Sequence, residues 1–411
     1  MHHLDVIYRF PKVHGMFQKY CLSILLLIIT GLSDAADQQG NQAARNGSDI
    51  NSQTSISNVN PSDNLPNFKI NGFGSLGTLH SSQSVGDYVL DSSLPSGAGR
   101  GNDWETSNFS KLAVQLNGYF TPHFTAQLQV ITAYDADGSF QPEVEWLNLK
   151  YAFNQNTYIR VGRIGLPTFF DSGNHDVGYS YPWAHPPSEL YYLLPIQSSD
   201  GIDVQYRFGI GEAQNSVKAI YGENKFSSPT VTSNSKDLWG VFDTLEYGEA
   251  TIHAGYQQRN ANLQNNISGI VEPSMEFNDI SVGIGYDPGD WFVTSEWIQS
   301  QTTYKANAMY VGLGFRFKKC TPYLLRSQNT PGSYSSGSLP SAFDLQLANR
   351  AQSTNSIGMR WDFRKNFDLK FQYDQVKLSD NSNGFLINVP VNQTLYGSTF
   401  SVLSAVVDFI F

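Results

Sequence analysis

Val402-Leu403-Ser404-Ala405-Val406-Val407-Asp408-Phe409-Ile410-Phe411, the last ten residues of a chain of 411, decide the fold. Successive side chains of an extended strand point to opposite faces, so Leu403, Ala405, Val407, Phe409 and Phe411 line one apolar face. About ten residues of such alternation make a tilted strand that crosses a bilayer with one side in lipid. The pattern recurs upstream. In 124–134, Phe124, Ala126, Leu128, Val130 and Tyr134 share a face opposite Gln127 and Gln129, and in 309–317, Val311, Leu313, Phe315 and Phe317 oppose Gly312, Gly314 and Arg316.

Sixteen segments carry the pattern: 67–80, 108–120, 124–134, 143–153, 157–163, 200–208, 214–222, 237–247, 249–258, 276–287, 291–300, 306–317, 320–328, 353–363, 367–377 and 400–411. Short turns such as Thr121-Pro122-His123 and Asp287-Pro288-Gly289-Asp290 alternate with long connections at 81–107, 164–199, 259–275, 329–352 and 378–399. The pairs Phe120/Phe124, Phe153/Tyr158, Tyr286/Trp291 and Phe363/Phe367 straddle the short turns, where a membrane–water interface holds aromatic rings. The expectation is an all-β fold, a transmembrane antiparallel β-barrel of about 16 strands. Hydrophobic content of 40% and a mean hydropathy of −0.31 fit, because only every second residue faces lipid. Beyond the leader, no apolar run reaches the roughly 18 residues of a helical span.

Residues 1–35 read as a signal peptide: Lys19, an apolar core, then small residues before cleavage near Ala35, with Met16 a possible start. Cys21 leaves with it and Cys320 remains unpaired, so no disulfide framework is expected. Residues 36–66, rich in Asn, Ser, Gln and Asp, read as a polar, disordered lead-in to a barrel domain at 67–411. The net charge of −10 becomes −11 once Arg9, Lys12, Lys19, Asp5 and Asp34 are removed, which speaks against nucleic acid as a partner and for a mild cation preference.

Strand number, alternating loop lengths and the final aromatic make residues 67–411 resemble the Gram-negative porins, diffusion channels of the outer membrane. The strongest local match is Gly162-Arg163, Pro167, Asp176-Val177-Gly178-Tyr179-Ser180-Tyr181-Pro182-Trp183 and Pro186-Pro187-Ser188-Glu189-Leu190-Tyr191, which looks like a run shared by porin-like proteins of proteobacteria. The resemblance implies an outer-membrane location in contact with lipid and lipopolysaccharide, small hydrophilic solutes and ions as cargo, a homotrimer, and a third external loop bent into the lumen. Two departures stand out: the third loop lacks the acidic Pro-Glu-Phe-Gly-Gly stretch, and the second, 135–142, is short.

From Ile164 to Tyr206 there is no Lys or Arg. Asp171, Asp176, Glu189 and Asp200 are therefore expected to make a constriction acidic on one side. Arg160, Arg207, Arg259, Arg316, Arg326, Arg360 and Lys370 are expected to point inward from the wall, since charge facing lipid costs about 2–4 kcal/mol near the midplane. Tyr179, Tyr181, Trp183 and Tyr191 (with Tyr192) are candidates to stack on sugar rings, against the simpler reading that they pack the loop. His175 and His185 match no zinc spacing, so neither metal nor cofactor is expected. Gly72-Phe73-Gly74-Ser75-Leu76-Gly77 fits a dinucleotide-binding string but lies in a strand with no helix after it. No Gly-x-Ser-x-Gly elbow nominates a nucleophile, and no enzyme is expected. The alternatives to a general channel are a carbohydrate-selective one and a plugged barrel serving as adhesin or receptor.

Overall fold

The structure, a computed structural model, describes residues 65–91, 93–334 and 350–411. The expected signal peptide and nearly all of the polar lead-in lie outside the described residues. Sixteen strands form one closed antiparallel sheet: β1 (Asn67–Ser81), β2 (Lys111–Tyr119), β3 (Phe124–Ala133), β4 (Pro142–Ala152), β5 (Thr157–Gly165), β6 (Ser198–Ile210), β7 (Ala213–Ser227), β8 (Val231–Tyr247), β9 (Ala250–Asn265), β10 (Met275–Tyr286), β11 (Trp291–Gln301), β12 (Tyr304–Phe315), β13 (Cys320–Tyr334), β14 (Gln352–Arg364), β15 (Phe367–Leu378) and β16 (Thr399–Ile410). Each strand pairs with its neighbours in sequence. The ring closes where β1 meets β16, from Phe73 opposite Ile410 to Ser81 opposite Val402.

The seam explains the glycine string. Gly72 and Phe411 exchange backbone hydrogen bonds of 2.9 Å in both directions. A Cβ on Gly72 would sit 2.1 Å from the Phe411 ring, and one on Gly74 2.5 Å from that of Phe409. The glycines make room for aromatic rings, not for phosphate.

The outer face is apolar across the middle of the barrel, with exposed residues such as Leu147, Leu149, Val161, Val204, Tyr206, Val282, Ile284, Leu324, Ile357 and Phe371. So large an exposed apolar band needs lipid as its solvent. Aromatic pairs stand at the short-turn end as expected: Phe120/Phe124, Tyr286/Trp291 and Phe363/Phe367 have ring centroids 5.7, 5.5 and 6.2 Å apart. Tyr158 is the exception. It points inward, with the Lys150 ammonium 4.4 Å from its ring centroid.

Several strands outrun their expected ends at the long-loop side: β7 reaches Ser227, β9 Asn265 and β13 Tyr334. There the outward positions turn polar (Gln258, Asn260, Asn262, Gln264), so the apolar alternation stops while the backbone ladder continues. Between β1 and β2 and between β15 and β16, long connections meet in a small sheet, Asp87–Tyr88 pairing with both Ala98–Gly99 and Leu386–Ile387.

Candidate functional site

The connection 166–197 governs the interior. It contains a short helix, α1 (Ser188–Leu193), and packs against inward-facing side chains of the wall. Trp183, Leu190, Leu193 and Ile196 join one apolar cluster with Ile220, Leu238, Phe242, Phe292, Ile298, Tyr310, Tyr323 and Leu325, from β7 to β13. Burying a large apolar side chain contributes about 1.5–3 kcal/mol, so this contact is strong. Val177 and Tyr179 pack on Phe73 and Ala113 of β1 and β2.

Polar anchors complete the docking on β13–β16. Glu189, 2% exposed, accepts hydrogen bonds from Ser327 Oγ (2.6 Å), Gln352 Nε2 (2.8 Å) and Thr354 Oγ1 (2.5 Å). Lys370 Nζ donates to the carbonyl of Gly178 (2.5 Å) and to Asp408 (2.9 Å). Arg360 donates to the carbonyls of Tyr179 (2.7 Å) and Tyr181 (3.2 Å). His185 Nε2 lies 3.1 Å from Asp374. Burial opposes the charged imidazole, but the hydrogen bond and charge of Asp374 outweigh it and raise the His185 pKa.

The expected acidic constriction is thus dispersed. Glu189 is consumed by the wall. Among the described residues Asp171 makes no ion pair, and burial lifts its carboxyl to about 6. Asp200 lies on the outer face of β6, paired with Arg163 at 2.7 Å. Asp176 borders a cavity and is bound to Lys111 of β2 at 2.9 Å.

The expected basic wall divides likewise. Arg360 and Lys370 face inward but grip the loop. Arg259 is buried against Asp279 at 2.5 Å. Arg316 pairs with Asp287 (2.6 Å) in a short turn, at the rim. Arg326 corrects the face assignment: it lies on the outer side of β13 beside exposed Leu324, donating to Asn355 at 2.5 Å. The cause is plain. The inner face of β13 is itself apolar, Tyr323 and Leu325 receiving Trp183, so dryness there does not mark the lipid side.

Arg160 and Arg207 remain, on the inner face of β5 and β6. The aromatic candidates pack instead of standing open: Tyr179, Tyr181, Trp183 and Tyr191 are 8%, 5%, 2% and 7% exposed. Trp183 meets Phe292 and Tyr323 edge-on at 5.8 and 5.1 Å. No such ring offers a face to a sugar.

Apart from the contacts of Asp176, Val177 and Tyr179 with β1 and β2 and of the apolar cluster with Ile220 of β7, the connection leaves the inner side of β1–β7 uncovered. At the long-loop end lies a cavity of about 640 Å³ lined by Glu143, Glu145, Asp176, Gln197 and Asn224, among others. Toward the short turns, Lys69, Asn71, Asn117, Thr125, Gln127, Lys150 and Arg207 are exposed or half-buried on the inner face. Between them Gln115, Gln129 and Asn148 are buried, forming a neck of amides; Gln129 donates to Glu145 (2.5 Å) and Asn148 to the Arg163 carbonyl (3.1 Å). Sequence reasoning passed over these amides because, as uncharged lumen residues, they carry no distinguishing signal beyond inward parity.

No protein-family model matches the chain, and no curated protein matches it. Solved structures share its fold. Outer-membrane expressed OmpT of Vibrio cholerae is 13% identical with a TM-score of 0.52, covering 86% of this chain and 100% of that one. An anion-selective porin from Comamonas acidovorans is 11% identical with a TM-score of 0.53, covering 84% and 99%. Salmonella typhi OmpF in complex with daunomycin is 12% identical with a TM-score of 0.51, covering 84% and 98%. The chain has the closed antiparallel barrel of the bacterial porins. Its fold is a porin-like barrel.

Proposed function

We propose that this barrel is an outer-membrane channel passing small hydrophilic solutes and ions along the inner side of β1–β7. The observation that carries the reading is the uncovered polar strip: a 640 Å³ cavity at one end, an amide neck, and a water-accessible basic vestibule at the other. An apolar band outside and this strip inside match what a passive diffusion channel needs. The passage is narrow, because the connection 166–197 covers the inner faces of β8–β16. The trim end faces the periplasm and the elaborate end the exterior in this reading, and assembly into homotrimers accords with the fold.

The covered inner faces also favour a second reading, a barrel closed at rest that serves as a binding surface. Single-channel recording in a planar bilayer separates the two. The expected result is steady ohmic conductance, with larger steps for Gln129→Ala, which shortens the neck side chain. Purified, folded protein that never conducts removes the channel reading and leaves the second.

A further inference from the structure

The chain leaves the wall at Leu166 and re-enters it at Gln197, whose carbonyl accepts the Leu166 N–H at 2.8 Å. The segment between them turns into the lumen, so β5 and β6 stop where their neighbours go on. β7 runs past its last rung with β6, Glu223 opposite Asp200, and its ladder from Asn224 to Ser227 is with β8 alone. Four residues of strand extend it by about 13 Å. On the other flank, residues 142–146 of β4 lie beyond the last β4–β5 rung, Leu147 opposite Arg163. The rim is therefore notched, with three inter-strand spacings of about 4.8 Å from β4 to β7.

The sill of the notch stands just above the apolar band. Arg163, Asp200 and Glu223 share its outward rung, and Val161, Ile202 and Tyr221 share the outward rung below. Ionised side chains facing lipid are costly, so a rung of three belongs in water; the side chains of Arg163 and Asp200 are 42% and 51% exposed. Arg163 Nη1 donates to the Val144 carbonyl, on the bare edge of β4, at 2.9 Å. The cavity of about 640 Å³ spans the notch: Val144, Arg163, Asp200 and Glu223 line it from the outer side, Ile131 and Asp176 from the lumen. The connection 134–141 supplies none of this lining. It is folded on itself, Ser139 donating through N (2.8 Å) and Oγ (2.6 Å) to Asp135, and Tyr134 ties it to Ser96 at 2.8 Å. Inside the sill, the next inward rung is Gly162, Gly201 and Gly222. A Cβ on Gly201 would sit 2.1 Å from the Tyr221 carbonyl oxygen. Three adjacent strands thus present no side chain between the cavity and Asn148 of the amide neck, which lies opposite Gly162.

We propose that the notch over β5 and β6 is a lateral mouth, through which small hydrophilic solutes enter the lumen from the side, over Arg163, Asp200 and Glu223, at the level of the lipid headgroups. The mouth rests on the channel reading and gives it an entrance. A solute crossing the sill passes the glycine rung and then meets Gln129 and Asn148. One arrangement accounts for the shortened strands, the charged outward rung and the bare inward one. It also leaves the free strand edges of β4 and β7 in water, where their unpaired backbone groups are satisfied.

The test uses the full chain with Cys21→Ser and Cys320→Ser, so that introduced thiols react alone. Asp200→Cys puts a thiol on the sill, and Asn260→Cys puts one on the outer side of β9, where the wall is paired on both edges. In planar bilayers, a maleimide-polyethylene glycol should lower the conductance of the Asp200→Cys barrel in steps. The Asn260→Cys barrel, equally labelled, should keep its conductance. A second arm needs no conduction: in Asp176→Cys/Asp200→Cys, a short bis-maleimide should bridge lumen and outer face through the notch, read as linked peptides by mass spectrometry. Conductance that ignores the label at position 200 overturns the mouth and leaves the channel reading standing. A thiol there that stays unlabelled in the folded protein, or a bridge that never forms, overturns the mouth as well. A silent barrel that forms the bridge keeps the side opening and removes the channel reading.

Discussion

At the scale of the residue, side chains proved harder to read than their backbone. Parity assigned Gln127, Arg160 and Arg207 to the inner face, but it could not say whether an inward charge would meet water or protein. Arg360 and Lys370 meet carbonyls of the connection 166–197, and Glu189 meets three donors, because that connection folds back on the wall from more than a hundred residues away. Arg326 was misplaced for the same reason, its strand being apolar on both faces. Gly312 makes the dependence testable. A Cβ there would lie 2.3 Å from the Trp183 indole, so Gly312→Val must push that ring out of its pocket between Phe292 and Tyr323. The expected outcome is a folded barrel with larger and noisier single-channel steps; unchanged steps would mean that Trp183 does not hold the connection in place.

At the scale of the element, all sixteen strands were legible, because period-2 alternation is dictated wherever one face meets lipid. Their upper ends were not, since above the apolar band the outward face turns polar and only backbone pairing continues. The connection 166–197 was expected to bend inward only through the resemblance, and its residues carry a pH dependence. Asp171 has its carboxyl raised to about 6 by burial, and His185 is raised by Asp374. In both cases the folded state holds more protons than the unfolded one, across pH 3.8 to 6 for Asp171 and upward from about 6.5 for His185. Stability therefore falls as pH rises through each window. Comparing the temperature at which the folded gel band is lost at pH 4.5, 6.5 and 8, Asp171→Asn should flatten the lower part of the wild-type decline and His185→Gln the upper. A wild-type midpoint that climbs with pH, with the variants parallel to it, would contradict this assignment.

At the scale of the whole molecule, closure rather than any single contact defines the architecture. The β1–β16 ladder runs from Phe73/Ile410 to Ser81/Val402, and the Ser75 hydroxyl donates to Asp408 across 333 residues of chain. Every other barrel pairing joins neighbours in sequence, so this pairing alone makes the sheet a ring. Loop-closure entropy delays contacts between such distant segments. Until β16 arrives, β1 and β15 are both bare edges, and bare edges recruit other chains. A chain ending after Leu378 should accordingly accumulate as aggregates with β-type circular dichroism and no heat-shifted gel band, whereas adding a peptide of residues 399–411 in trans should recover part of that band. The final strand thus acts as a clasp: assembly stays reversible and vulnerable to its own copies until the zip is drawn shut, and afterwards unfolding must begin by undoing the fastening made last.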